Sequence, residues 1–179
     1  MNLSDSDIFK SKLFILTEDK ARFGYSWSEL IERAESLGVT VNDLFRYYSH
    51  IIRGQEGIVS GEINLREFFT VKDYSPLKTK SFDSIMQDLN EICDLLEQWQ
   101  SKKINDTSLS KWLHLIDIYT NSFPKYAIMA YLFKNGFDNE LENFFIYLVK
   151  FIYSKGSTTY TKWDIYPVIY KITSSEKHE

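Results

Sequence analysis

The chain has 179 residues, of which 44% are apolar and 26% charged, and its formal net charge is −4. That length suits one domain able to bury roughly 70% of its unfolded surface, and that apolar share excludes wholesale disorder. The acidic balance excludes a bulk electrostatic pull toward nucleic acid or anionic membrane.

In chain order, Ser4–Leu16 predicts a weakly amphipathic opening helix. Ser26, with Glu29 three residues on, reads as a capping box; Trp27, Leu30, Ile31, Ala34 and Leu37 follow as a buried face and Gly38 as the stop. Thr40 or Asn42 caps the next helix, on which Val41, Leu44, Phe45, Tyr48, Ile51 and Ile52 recur at helical spacing until Gly54. A glycine-punctuated loop, Gly54–Gly61, leads to a short helix around Glu62–Phe69. Thr70–Lys80, which contains Pro76, reads as a long ordered loop. Phe82, Ile85, Met86, Leu89, Ile92, Cys93, Leu96 and Trp99 then fall at steps of three and four, one face of a helix from about Ser81 to Lys103.

In the second half, Ser108 or Ser110 opens a helix carrying Leu109, Trp112, Leu113, Ile116 and Tyr119. Pro124 fits the first turn of the next, where its missing N–H costs nothing. Ala127–Phe133 is apolar almost all round and therefore predicts a central, surrounded helix. Asn135-Gly136 ends it, and Asp138 caps a helix with the stripe Leu141, Phe144, Phe145, Leu148, Val149 and Ile152, closed by Lys155-Gly156. A last short helix over Asp164–Thr173 tolerates Pro167 in its first turn. No repeat at a period of about 34 or 40 residues signals a solenoid. The expectation is an all-α, irregular multi-helix bundle of about eight helices, a single helical domain over 1–179. Any division into two packed lobes would fall near 104–108.

Catalytic chemistry is hard to place on this pattern. There are three histidines, His50, His114 and His178, and none has a second His or Cys at zinc spacing, so no metal site is expected. His178 lies in a tail. His114, among Trp112, Leu113, Ile116 and Tyr119, reads as a partly buried structural histidine. Gly54, Gly57 and Gly61 lack dinucleotide-loop spacing, and Lys155-Gly156-Ser157-Thr158 holds Walker-type residues in the wrong order at a helix end. Asp88/Glu91 and Asp138/Glu140/Glu142 read as solvated faces or caps. No catalytic residue and no cofactor is therefore assigned.

The single cysteine, Cys93, sits on an apolar stripe and suits a reducing cytoplasm. Asp5 and Asp7 stand where a signal peptide carries positive charge. The longest apolar runs, Tyr126–Phe133 and Phe144–Val149, fall far short of the roughly 20 residues that cross a bilayer. A cytoplasmic chain with no membrane partner is the expectation.

One constellation has a binding reading. All five arginines (Arg22, Arg33, Arg46, Arg53 and Arg66) lie in the first 66 residues. Of these, Arg46 and Arg53 stand with His50 at i, i+4 and i+7 on one helix, away from its apolar stripe. Three potential cations on one face suit a phosphate backbone or an acidic partner. The same residues also read as a solvated, salt-bridged face, or as cations set against the helix C-terminal dipole.

The stretches Leu44-Phe45-Arg46-Tyr47-Tyr48-Ser49-His50-Ile51-Ile52-Arg53-Gly54 and Glu62-Ile63-Asn64-Leu65-Arg66-Glu67-Phe68-Phe69 resemble the helical region of the GmrSD-type restriction family, domain of unknown function 262. Trp112–Phe133, with Tyr119 and Phe123-Pro124, is similar to that family's helical segment, as is Lys150–Thr159 followed by Trp163–Tyr166. The resemblance implies a restriction or defence protein in which nuclease and NTPase domains flank such helices. The family's Asp-Gly-Gln-Gln-Arg signature has no counterpart here, since Gly54-Gln55 lacks its neighbours, and there is no HNH-like histidine cluster. By this resemblance the chain is a non-catalytic helical module whose partners are nuclease domains of the same longer protein and the DNA backbone. The alternative reading is a stand-alone helical protein–protein interaction module.

Overall fold

A computed structural model describes residues 4–59, 63–105, 107–155 and 158–174. Among them every regular element is a helix: α1 (Asp5–Leu16), α2 (Lys20–Ser36), α3 (Val41–Gln55), α4 (Leu65–Thr70), α5 (Pro76–Thr79), α6 (Phe82–Asn105), α7 (Thr107–Asp117), α8 (Phe123–Asn135), α9 (Leu141–Lys155) and α10 (Thr158–Ser174). The fold class is all-α, with ten helices where the spacing predicts about eight.

The differences have local causes. α2 starts at Lys20 and leaves Ser26 inside it, because the Asp19 carboxylate accepts the Arg22 N–H at 2.9 Å and caps the helix early. Gly24, a poor helix former, masks that start in the sequence. α5 is a turn of helix within the segment expected to be loop. The buried Ser75 hydroxyl donates to the Phe69 carbonyl at 2.7 Å and accepts the Leu77 N–H at 3.3 Å, with Pro76 in the first turn. α10 begins at Thr158, so Pro167 lies in the helix interior and not in its first turn. The proline leaves the Trp163 carbonyl without its helical donor; both residues lie on an exposed side, where water can take that bond. α9 starts three residues beyond Asp138, whose carboxylate accepts the Glu140 N–H at 3.1 Å and the Tyr131 hydroxyl at 2.7 Å.

Other ends follow the expected chemistry. Ser4 and Asp7 form a reciprocal capping box on α1, and Thr40 and Asp43 do the same on α3. Gly38 follows α2 at φ +71°, a conformation that side-chain-bearing residues rarely adopt. Gly136 is the C-cap of α8. Residues 1–3, 60–62, 106, 156–157 and 175–179 lie outside the described set. They include the expected start at Glu62, part of the expected lobe junction near 104–108, the closing Gly156 and the tail histidine His178.

The chain forms two compact units, Met1–Ser49 with Glu62–Asp94, and His50–Gly61 with Leu95–Glu179, so that α3 and α6 each contribute to both. The first unit is built on rings. Phe9 lies 4.5 Å from Phe45 and 5.0 Å from Phe69, and Phe45 meets Phe69 edge-on at 5.0 Å. All three are fully buried, alongside Leu13, Leu30, Leu44, Ile85 and Leu89. Each such side chain contributes about 1.5–3 kcal/mol before chain entropy is subtracted. In the second unit α8 is buried from Ala127 to Leu132, the position its all-round apolar pattern demands. α10 packs along α8 with Ile165 and Ile169, and Phe145, Leu148 and Ile152 of α9 complete that core.

Candidate functional site

The three side chains expected to share one cationic face have different surroundings. Arg46 is exposed, and its backbone carbonyl accepts the Ser49 hydroxyl at 2.7 Å. His50 and Arg53 are buried, at 6% and 4% exposure. They are therefore not part of a solvated face with Arg46.

The burial follows from how α8 and α10 pack over the last turns of α3. The His50 imidazole lies nearly parallel to the Tyr126 ring, with centroids 4.0 Å apart, and 5.6 Å from Tyr166 on a similar plane. The Arg53 guanidinium lies 3.9 Å from the Tyr166 ring centroid. Phe123 extends the set with an edge contact to Tyr126 at 5.8 Å. Gly54 permits the close approach, since a Cβ there would fall 2.7 Å from Thr173 Oγ1 and 2.8 Å from Ile169 Cγ2.

This arrangement constrains the chemistry. A guanidinium spread over a ring gains from the negative π face, more so when desolvated, and the buried imidazole is stacked on Tyr126. Both groups fasten α3 to α8 and α10. What remains to meet an anion from solvent on this part of α3 is Arg46. Spacing on one helix reveals which residues share a side, but not that a second pair of helices covers it. The partners Tyr126 and Tyr166 carry no local signal that links them to His50.

Most of the acidic candidates have structural partners too. Asp88 accepts from the Tyr48 hydroxyl and from Lys80 Nζ, the latter at 2.6 Å. Glu91, beside it, has its carboxyl pushed above the usual range by burial and then by the charges of Asp88 and Asp94. Glu140 accepts from the Asn143 amide at 3.0 Å, and Glu142 from the Trp112 indole N–H at 3.4 Å. Cys93 is buried. His114 is exposed and not partly buried as its neighbours suggest, because the apolar side of α7 is carried by Leu109, Leu113 and Ile116.

Among the described residues no group of three His, Cys, Asp or Glu side chains converges on a metal position. No helix among them is long and apolar enough to cross a membrane. Compared with protein-family models, with curated proteins and with solved structures, the chain matches none.

Proposed function

We propose that this chain is a non-catalytic helical module of a bacterial restriction or defence protein of the GmrSD-like type, positioning nuclease domains and the DNA backbone they act on. The observation that supports it most is the role of the stretch Leu44–Gly54, on which the resemblance chiefly rests. Leu44, Phe45, Tyr48, Ile51 and Ile52 are buried, and His50 and Arg53 are laid against ring faces. Residues so engaged hold a scaffold together and do not present a reacting group.

The reading frame around this segment tests the proposal directly. A domain with the Asp-Gly-Gln-Gln-Arg signature, encoded upstream in the same frame or in an adjoining gene, is the expected result; its absence from both overturns the family reading. Incubation of the chain with supercoiled plasmid, and with GTP or ATP, each with Mg²⁺, should show no turnover. Activity that disappears on substitution of one of the chain's own residues would overturn the non-catalytic reading.

The DNA part of the proposal rests on Arg46. Contacts from this side of α3 would go to phosphates, so binding should be weak, indifferent to sequence and steeply salt-dependent. Arg46→Ala should lower the log–log salt slope by about one. Identical curves for wild type and variant, or no binding at low salt, would remove DNA from the reading.

A second reading, a stand-alone protein–protein interaction module, is favoured by one observation. Trp163, Pro167 and Tyr170 are exposed at i, i+4 and i+7 along α10.

A further inference from the structure

At the end of α1, in the first unit, three successive apolar side chains stand in solvent: Phe14 at 42% exposure, Ile15 at 73% and Leu16 at 38%. The core face of this helix is carried by Phe9 and Leu13. Phe14 is steadied from within the chain, with Phe23 meeting its ring edge-on at 5.3 Å and Lys20 Nζ 4.4 Å from its centroid. A contiguous exposed apolar surface marks an interaction site where single scattered residues do not.

The charges beside this tip differ in sign on its two sides. Lys12 stands one turn before Ile15 and Leu16 on the same side of α1. Glu18 and Asp19 follow the end of the helix. Two of the neighbouring charges are held by the chain itself. Lys20 Nζ donates to the Phe14 carbonyl and, at 2.5 Å, to the Thr17 carbonyl, while the Asp19 carboxylate accepts the Arg22 N–H at 2.9 Å. Lys12 and Glu18 are exposed, and among the described residues neither makes an ion pair.

We propose that this tip is a two-fold contact between copies of the chain, in which Ile15 meets the partner's Ile15 and Lys12 of each copy pairs with Glu18 of the other. Charge complementarity selects a second copy as the occupant. A two-fold contact sets one patch against itself. Antiparallel about Ile15, residues equally far before and after it come together, and Lys12 and Glu18 each lie three residues away. An anionic lipid surface would instead meet the carboxylates of Glu18 and Asp19 beside the apolar side chains. The contact is small, since three side chains from each copy fall short of the ~800 Å² per partner of a stable complex. Association is therefore weak, with a Kd on the order of 0.1–1 mM. It does not depend on the family reading.

Sedimentation equilibrium of the full chain, from tens of micromolar to millimolar, tests the contact. The wild type should pass from monomer toward dimer across that range, and Ile15→Glu should remain monomeric with an unchanged circular dichroism spectrum. Lys12→Glu and Glu18→Lys should each weaken association about tenfold, because each replaces two attractive pairs by two repulsive ones. The double variant Lys12→Glu/Glu18→Lys should recover the wild-type value, as should an equimolar mixture of the two single variants, since every pair is again of opposite sign. A wild type that stays monomeric at millimolar concentration, association undiminished in Ile15→Glu, or single reversals without effect would overturn the proposal. So would binding to phosphatidylserine vesicles that Ile15→Glu abolishes, in a chain that does not self-associate, which would give the tip to a lipid surface.

Discussion

The hydroxyl of Tyr48, on a ring with no exposed surface, donates to the carboxylate of Asp88, tying α3 to α6 within the first unit. Burial first, and then the bond to Asp88, raise the phenol well above its ordinary value, so it stays protonated and donating. Lys80 completes the group from the other side, with Nζ 2.6 Å from the same carboxylate oxygen and 5.6 Å from the Tyr48 ring centroid. Tyr48→Phe keeps the ring and removes the donor to a charged acceptor. The expected loss is about 1.5–3 kcal/mol in urea denaturation. Lys80→Met should cost less, within ~1 kcal/mol, because Lys80 is one-third exposed and its ion pair is screened. Equal losses from the two variants would show that the phenol has no special part in holding Asp88.

The second unit has its corresponding anchor at Phe145, fully buried, with Trp99 meeting it edge-on at 5.3 Å. Phe145→Ala should cost about 3–5 kcal/mol, from lost transfer energy and the cavity left behind. Guanidinium unfolding measures it, and a loss well under ~1 kcal/mol would show that the site collapses around the smaller residue.

How much of this was legible in the sequence depends on whether the cause was local. The stripe Val41, Leu44, Phe45, Tyr48, Ile51 and Ile52 is buried throughout, because a helix face follows from residue spacing alone. The stripe from Phe82 holds as far as Leu96, while Trp99 and Phe144 are only half-buried. Helix starts were legible where cap and apolar run adjoin, as at Ser4 and Thr40, and were lost where a weak helix former intervenes, as Gly24 does after Asp19. The candidate face on α3 shows the limit most clearly. Arg46, His50 and Arg53 share a side of one helix, but whether that side is wet depends on Tyr126 and Tyr166, which come from α8 and α10. Asn42 was legible as a possible cap; Thr40 holds that place.

Glu91 gives a pH dependence whose sign is fixed. Its carboxyl is raised in the folded chain, by burial first and then by Asp88 and Asp94. The native state therefore holds the proton more tightly than the unfolded state, and stability falls as pH rises through the range between the two values. Glu91→Gln removes that loss. It should raise the melting temperature at neutral pH, by an amount worth less than ~1 kcal/mol after solvent screening, and change nothing in acid, where the wild-type carboxyl is protonated in both states. Thermal denaturation across the acid-to-neutral range checks it; a stabilisation that persists in acid would point to helix propensity and not to charge.

Two glycines inside helices should respond in opposite directions to the same substitution. Glycine is less favourable than alanine in a helix interior by about 0.5–1 kcal/mol, since it loses more backbone freedom on folding. At Gly24, in α2, a Cβ would meet nothing within 4 Å, so Gly24→Ala should stabilise by that amount. At Gly54, in α3, the same Cβ would lie 2.7 Å from Thr173 Oγ1 and 2.8 Å from Ile169 Cγ2 of α10. Ile169 is 1% exposed and has little room to retreat, so the helices must separate. Overpacking of that kind costs about 1–3 kcal/mol and outweighs the propensity gain. Gly54→Ala should therefore be destabilising in urea. It should also weaken the contacts of His50 and Arg53 with Tyr126 and Tyr166, which depend on the same approach of α3 to α10. Tyrosine fluorescence and near-ultraviolet circular dichroism report that loosening, and a Gly54→Ala chain as stable as Gly24→Ala would show that α10 does not lie this close to α3.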